Sequence, residues 1–363
     1  ASSVSKEAIR RQKDLRIVYS SLHGTGITLV PAVLARLGFE NVHIVEAQAT
    51  PDGNFPTVVY PNPEETEAMT LGLQMAANLD ADLVMATDPD SDRCGLGVKN
   101  PQGKWQLLNG NQISTLLIYY MLNAWRSAGK ITGKEMIIKT IVTTDIQDKM
   151  AEAFGVTCFN TLTGFKYIAQ VIREQEGKLK FIVGGEESYG YMVGDFVRDK
   201  DAIAACAMIA EMVAFAKDKG LSLFDLLIEI YLQFGFYKED LLSITKKGKT
   251  GAEEIQAMMA GYRSAPPRTI AGSEVVKIYD YKESVETDLR TGTRKPLSME
   301  KSNVLQFLTA DGSKISARPS GTEPKIKFYF SVNEPLAKAS DFARVEARLD
   351  EKIGAIIADM GLR

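Results

Sequence analysis

Leu83-Val84-Met85-Ala86-Thr87-Asp88-Pro89-Asp90-Ser91-Asp92-Arg93 is the stretch that decides how this chain is read. Its first four residues are apolar, as in a buried strand. Three carboxylates then alternate, and an arginine closes the run. In open α/β sheets, ligands bind beyond the C-terminal ends of strands, so the acidic loop is expected at such an end. Alternating carboxylates can converge on a hard cation such as Mg²⁺, which takes oxygen ligands and commonly shares them with a phosphate. The guanidinium can hold a further anionic oxygen through two parallel hydrogen bonds. The stretch therefore points to phosphoryl chemistry with a metal. The alternative is a solvated acidic turn.

Composition narrows the function class. The 363 residues are 45% hydrophobic and 25% charged, and 43 basic against 46 acidic residues leave a net charge of −3. With no basic surplus, the balance argues against a nucleic-acid partner. The three cysteines, Cys94, Cys158 and Cys206, fit neither a zinc site nor a disulfide framework, and a reduced, cytoplasmic setting is expected. Two histidines, His23 and His43, are too few for a histidine-rich metal site. The longest apolar run, 202–216, is interrupted by Glu211 and falls short of the ~20 residues a membrane span needs, so no membrane partner is expected.

Outward from the acidic loop, strands alternate with helices, the α/β pattern. Strands are expected at 15–19, 42–45, 83–86 and 95–99, with helices between Gly26 and Gly38 and from about Glu64. A second unit follows the same plan. Its strands are expected at 136–142, 156–159 and 180–183, and its helices at 110–125, 145–154 and 166–175. Its last strand runs into Gly184-Gly185-Glu186-Glu187-Ser188-Tyr189-Gly190. An acidic loop after a late strand occurs in both units, which suggests a degenerate internal duplication. Two packed helices, 201–216 and 223–234, close this unit. From 236 the chain turns polar, lysine-rich and β-prone. It ends in an amphipathic helix with Phe342, Val345, Leu349, Ile353, Ile356 and Met360 on one face. The expected fold is α/β: two related α/β/α domains with mixed sheets, then a smaller α+β C-terminal domain. The expected boundaries are a leader at 1–14 and domains at 15–104, 105–235 and 236–363.

Four other segments carry chemistry. Glu186 and Ser188 lie in a glycine-flanked loop that could accept from and donate to vicinal sugar hydroxyls, or could be a tight turn with solvated glutamates. Arg318-Pro319-Ser320-Gly321-Thr322-Glu323-Pro324-Lys325 concentrates a guanidinium, hydroxyls and a flexible backbone. It reads as a phosphate clamp assisted by Lys325 or Lys327, or as a plain hairpin turn. In Arg198-Asp199-Lys200-Asp201, one aspartate is expected to cap the next helix. Lys200 would then bind phosphate or, with a lowered pKa, transfer a proton. Thr161-Leu162-Thr163-Gly164-Phe165-Lys166 offers either a helix N-terminus to a phosphate or sugar, or a threonine cap. His23-Gly24-Thr25-Gly26 is read as a structural turn or domain contact, and Asn109-Gly110-Asn111 as a helix cap.

Taken in order, DPDSDR, TGFK, GEESYG, RDKD and RPSGTEPK resemble the α-D-phosphohexomutase superfamily, in its bacterial phosphoglucomutase/phosphomannomutase branch. The resemblance covers nearly the whole chain and implies domains two, three and four of a four-domain fold. It implies an isomerase-class phosphotransferase that interconverts glucose 1-phosphate and glucose 6-phosphate through a phosphoserine and a bisphosphorylated sugar. Asp88, Asp90 and Asp92 match the Mg²⁺ ligands, one ion per site, and Arg93 and Lys200 match catalytic positions. Thr163, Gly164, Glu186 and Ser188 match the sugar-reading residues. Arg318, Ser320, Gly321 and Thr322, with Lys327, match the distal phosphate clamp. Glucose 1,6-bisphosphate is the implied activator and a phosphosugar the implied substrate.

Tyr189-Gly190 stands where the dual-specificity branch has a histidine, which favours glucose over mannose. Phosphomannomutase, phosphopentomutase and a non-catalytic sugar-phosphate-binding module remain open. An aspartyl phosphatase, phosphorylated on Asp88 or Asp90, fits the accompanying loops less well. The threonine-alanine-serine-histidine-asparagine-proline loop of the family's first domain does not occur in these residues. The chain is therefore expected to be a fragment without its phosphoserine domain, inactive by itself, with a metal loop short of its phosphoserine ligand.

Overall fold

The computed structural model describes residues 3–246, 248–321 and 323–362. They form two compact units, Ala1–Ile230 and Tyr231–Arg363. The first unit begins with α1 (Lys6–Arg11), β1 (Ile17–Ser20), α2 (Gly26–Leu37), β2 (Val42–Ile44), α3 (Thr66–Asn78), β3 (Leu83–Thr87), β4 (Cys94–Lys99) and β5 (Trp105–Leu108). It continues with α4 (Gly110–Ser127), β6 (Glu135–Thr140), α5 (Ile146–Phe154), β7 (Thr157–Thr161), α6 (Phe165–Glu174), β8 (Lys180–Gly185), β9 (Tyr191–Val193), α7 (Ala202–Asp218) and α8 (Leu223–Phe234).

Two sheets form this unit, with strand orders β2-β1-β3-β4-β5 and β7-β6-β8-β9. In the first, β2, β1 and β3 are parallel and β4 turns back antiparallel. The second repeats that plan, with β7, β6 and β8 parallel and β9 antiparallel. The two acidic loops thus occupy the same topological slot, after the third parallel-sheet strand and before its antiparallel neighbour. Every residue of β1, β3 and β6 is buried, and their centres, 17–19, 83–86 and 136–138, are apolar, while Glu135 and Lys139 of β6 are buried polar residues. Helices cover the sheets through single apolar stripes: Phe165, Ile168 and Ile172 of α6 pack with Met136, Ile138 and Phe181.

Local signals set the helix ends. Asn109 and Gln112 form a reciprocal capping box at α4, and the Asp201 carboxylate accepts from the Ala204 N–H at α7. At the end of α2, Gly38 takes φ 107°, a left-handed cap that suits a residue without Cβ. Among the described residues no helix is long and apolar enough to cross a membrane.

The second unit contains β10 (Phe236–Thr245), α9 (Gly248–Ser264), β11 (Thr269–Ile270), β12 (Ser273–Asp280), β13 (Val285–Asp288), β14 (Arg294–Pro296), β15 (Leu305–Thr309), β16 (Lys314–Pro319), β17 (Lys325–Glu334) and α10 (Phe342–Asp359). Its strands form an antiparallel sheet in the order β10-β17-β16-β15-β12-β13-β14, with β11 paired to β12. In α10, Val345, Leu349, Ile353 and Ile356 are buried, and Phe342 stacks on Phe236 at 4.8 Å.

Three elements differ from expectation. The polar leader contains α1, which the sequence hides because only Ala8 and Ile9 of it are buried. The buried Glu211 carboxylate accepts from the Val4 and Ser5 N–H groups just before α1. Residues 105–108, expected to open the second domain, form the edge strand β5 of the first sheet, paired with β4. The β-prone tail also contains α9, which buries Ile255 and Met259 one helical turn apart.

Candidate active site

Asp88 organises the acidic loop around itself. Its Oδ1 accepts from the N–H groups of Asp92 at 3.0 Å and Arg93 at 2.9 Å, while the Ser91 N–H donates to the Asp88 carbonyl. The tight reversal puts Ser91 at φ 60°, a left-handed conformation that costs a non-glycine residue energy. The 24–26 turn forms the floor. Thr25 donates to the Pro89 carbonyl from both N–H and hydroxyl. A Cβ on Gly24 would lie 2.3 Å from the Pro89 Cα, so backbone meets backbone there.

Asp88, Asp90 and Asp92 bring one carboxylate oxygen each within 4.8 Å of one another. Burial, with the neighbouring Asp92 and Asp90 charges adding to it, pushes the Asp88 carboxyl up to about 7, against the opposing pull of the Arg93 and Asp92 N–H bonds. Three crowded carboxylates, one of them 8% exposed, suit a hard divalent ion that neutralises them together.

Two cations flank the loop. Arg93 donates to Glu64 at 3.0 Å, and its Nε lies 3.7 Å from oxygens of Asp88 and Asp92. Lys200 Nζ lies 2.9 Å from Asp92 Oδ2 and 3.1 Å from Asp199 Oδ1. Burial would lower the Lys200 pKa, but its bonds to Asp92 and Asp199 win and raise it. That direction is opposite to the lowered pKa a proton-transferring lysine would need.

The second acidic loop is held as firmly. Glu186 is buried, and its Oε1 accepts from the Gly164 N–H at 2.6 Å. Gly164 sits at φ 123° as the N-cap of α6, where no side chain caps the helix, so neither threonine takes that expected alternative. The Thr163 hydroxyl oxygen is buried without a hydrogen-bond partner, although such groups are normally satisfied. Glu187 turns away from Glu186, and its Oε2 accepts from the hydroxyls of Thr140 at 2.9 Å and Thr143 at 3.2 Å. Ser188 is half-buried between the two glutamates and Tyr189.

The two loops are stitched together. The Cys94 N–H donates to the Tyr189 carbonyl at 3.0 Å, Arg93 bridges Gly190 in antiparallel fashion, and the Ala202 N–H donates to the Ser91 carbonyl at 3.1 Å. The free thiols of Cys94 and Cys206 meet across the same join, Sγ to Sγ 3.2 Å.

In the second unit, Arg318 and Lys327 stand directly opposite each other on β16 and β17. Like charges in that register repel, and an anion between them relieves the repulsion. Arg318 Nη1 lies 3.5 Å from the Tyr329 hydroxyl, and the Ser320 N–H closes the turn on the Lys325 carbonyl at 2.7 Å. Gly321 lies exposed at the tip, and Thr322 lies outside the described residues. The segment is a hairpin loop and a concentration of cations at once.

The sequence reading singled out Glu186 and Ser188 but missed Glu187, Glu64 and Thr140, which hold the loops in place. A carboxylate that anchors and one that faces a ligand look alike in a one-dimensional pattern. Only the hydroxyls delivered by β6 and the turn after it tell them apart.

Comparison with known proteins adds an independent line. Residues 1–103 match the model of "Phosphoglucomutase/phosphomannomutase, alpha/beta/alpha domain II", and residues 109–234 match that of domain III. A curated relative from Staphylococcus haemolyticus, named phosphoglucomutase, is 40% identical over 322 residues, covering 89% of this chain and 58% of its own length. One of the same name from Staphylococcus aureus is 37% identical over 342 residues, covering 94% and 60%. The chain thus spans about three-fifths of the length of these relatives. Among solved structures, the Paramecium phosphoprotein pp63/parafusin aligns over 98% of this chain and 60% of its own, with TM-score 0.67 and 20% identity. A Thermus thermophilus putative phosphomannomutase aligns over 98% and 63%, with TM-score 0.63 and 19% identity, so the likeness is one of fold.

Proposed function

Since this chain belongs to the phosphoglucomutase/phosphomannomutase family, we propose that it supplies the metal loop, the sugar-reading loop and a phosphate-gripping hairpin to the interconversion of glucose 1-phosphate and glucose 6-phosphate. One observation carries the reading. The three-aspartate loop and the Glu186 loop are hydrogen-bonded into a single element, so a phosphoryl group and the sugar bearing it would meet one fixed surface.

Each residue has a task in that reading. Asp88, Asp90 and Asp92 would hold Mg²⁺, which supplies positive charge to a phosphoryl oxygen. Phosphoryl transfer depends chiefly on positioning and charge stabilisation. Arg93 and Lys200 supply two further cations beside the aspartates, and both are already anchored by carboxylates. The Glu186 carboxylate and the Ser188 hydroxyl are of the kind that suits sugar hydroxyls, and the unpartnered Thr163 hydroxyl is a third group suited to the same ligand. Arg318, Ser320 and Lys327 suit a phosphate oxygen set. The family's donor serine loop does not occur in these 363 residues, and a phosphoserine in the longer proteins of this type is the source we assign to the phosphoryl group.

The experiment is a calorimetric titration of the chain with Mg²⁺, then with glucose 1-phosphate, mannose 1-phosphate, ribose 1-phosphate and glucose 1,6-bisphosphate. The reading expects Mg²⁺ binding that D88N and D92N abolish. It also expects glucose phosphates to bind ahead of the others, with E186Q weakening them. If no hexose phosphate binds at millimolar concentration with Mg²⁺ present, the sugar-phosphate assignment is wrong. If ribose 1-phosphate binds first, the substrate is a pentose phosphate.

A further inference from the structure

The two loops and the Lys200 stem converge on one residue, Gly190. It pairs with Arg93 of the acidic loop, and its carbonyl accepts from the Glu186 N–H at 2.8 Å. A Cβ built on Gly190 would stand 2.4 Å from Lys200 Cδ and 2.8 Å from Lys200 Cγ. The lysine stem therefore fills the space a side chain would occupy, and the ammonium at its end reaches Asp92 Oδ2 at 2.9 Å. The Gly190 backbone lies outside the left-handed region, so conformation alone does not demand glycine here. Space does.

We propose that Gly190 is a positioning residue: its missing side chain lets the Lys200 stem lie across the sugar-reading loop and set its ammonium on Asp92. This rests on the reading of Asp92 as a metal ligand and adds a consequence to it. Lys200 and Mg²⁺ bid for the same carboxylate, so the glycine, acting through the lysine stem, tunes how tightly the loop takes a cation. Both Lys200 and Asp92 are largely shielded from solvent, with side chains 18% and 26% exposed, so the stem has little room to take another route.

The test compares the wild-type chain with G190A, K200A and the double variant. Two readouts are used: the lysine Nζ resonances of ¹⁵N-lysine-labelled protein, and Mg²⁺ affinity by calorimetry. The signal absent from K200A identifies Lys200. In G190A that signal shifts or broadens away. Each single variant tightens Mg²⁺ binding by about two- to fivefold, the range of a partly exposed ion pair. The double variant shows no further change, because Gly190 acts only through Lys200.

An unchanged Lys200 signal in G190A overturns the proposal, and so do additive effects in the double variant. If G190A fails to fold but the double variant folds, the clash is with the lysine stem and the proposal stands. If both fail to fold, the glycine serves the fold and the proposal falls. A wild-type chain that binds no Mg²⁺ defeats the metal reading, while the Lys200 signal still decides the role of Gly190.

Discussion

Removing the Glu187 carboxylate should loosen the sugar-reading loop without touching a sugar-facing group. Glu187 Oε2 accepts from two hydroxyls, at 2.9 Å from Thr140 and 3.2 Å from Thr143. Both threonines are fully buried, and their hydroxyl oxygens lie 2.9 Å apart. In E187A one hydroxyl can turn to the other, so one donor is orphaned rather than two. A buried unsatisfied donor costs about 1–3 kcal/mol, and a hydrogen bond to a charged group contributes about 1.5–3 kcal/mol. Because Glu187 is only half-buried and its second contact is long, the lower ends apply, and E187A should cost ~2–3 kcal/mol. E187Q keeps an oxygen acceptor but loses the charge, and charged bonds are roughly twice as strong as neutral ones, so it should cost ~1 kcal/mol.

Urea unfolding measures the stability and calorimetry the glucose 1-phosphate affinity. The loss of affinity expected for E187A is about tenfold, equivalent to ~1.4 kcal/mol of loop ordering moved into the binding step. T140V supplies the control. If Glu187 anchors through Thr140, the cost of E187A shrinks in the T140V background by ~1 kcal/mol, well outside the ~0.3–0.5 kcal/mol scatter of independent sites. Full additivity of E187A and T140V, or an unchanged sugar affinity in E187A, refutes the anchoring argument.

Two further outcomes follow from the second unit. The Asp311 carboxylate is held well below the usual carboxylate range: burial opposes the shift, but donation from Lys352, Thr309 and Ser313 outweighs it. Its folded pKa is depressed, so its contribution is present above the unfolded value of about 4 and is lost as pH falls through the folded value. D311N should therefore lower the melting temperature of the chain at pH 7, and lower it by clearly less at pH 2, where the unfolded carboxyl is already protonated; an equal loss at both pH values refutes this linkage. Arg318 faces Lys327 in register, so inorganic phosphate should raise the melting temperature of wild type in a salt-sensitive way, and K327A should lose most of that rise. A phosphate effect that K327A leaves intact removes Lys327 from the clamp.

Which parts were legible in the sequence follows from how each is stabilised. The parallel strands β1, β3 and β6 are buried throughout and have apolar centres, and helix ends at Asn109 and Asp201 carry local capping signals. The aspartate loop was legible because its carboxylates stand at alternate positions of one short stretch. What escaped depends on partners far away in sequence. The two N–H groups just before α1 bond to Glu211, more than two hundred residues on. The pull that raises the Lys200 pKa comes in part from Asp92, a residue on another loop.

The repeated topology explains why the two acidic loops ended in one place. Each follows a parallel strand and precedes the antiparallel neighbour that carries the chain back, β3 to β4 and β8 to β9. A duplicated plan delivers two equivalent strand ends, but equivalence alone does not bring them together. Three contacts that do so are backbone: Cys94 to Tyr189, Arg93 with Gly190, and Ala202 to Ser91. Backbone bonds leave the side chains at the join free to diverge. One loop could collect carboxylates for a metal while the other collected glutamate and serine for hydroxyls. Tyr189 bears the cost of the stitching, since it holds φ 66° where glycine would be at ease. A non-glycine residue kept in that conformation at the join, with its carbonyl turned to the Cys94 N–H, is the mark of a loop shaped by its partner loop as well as by its own sequence.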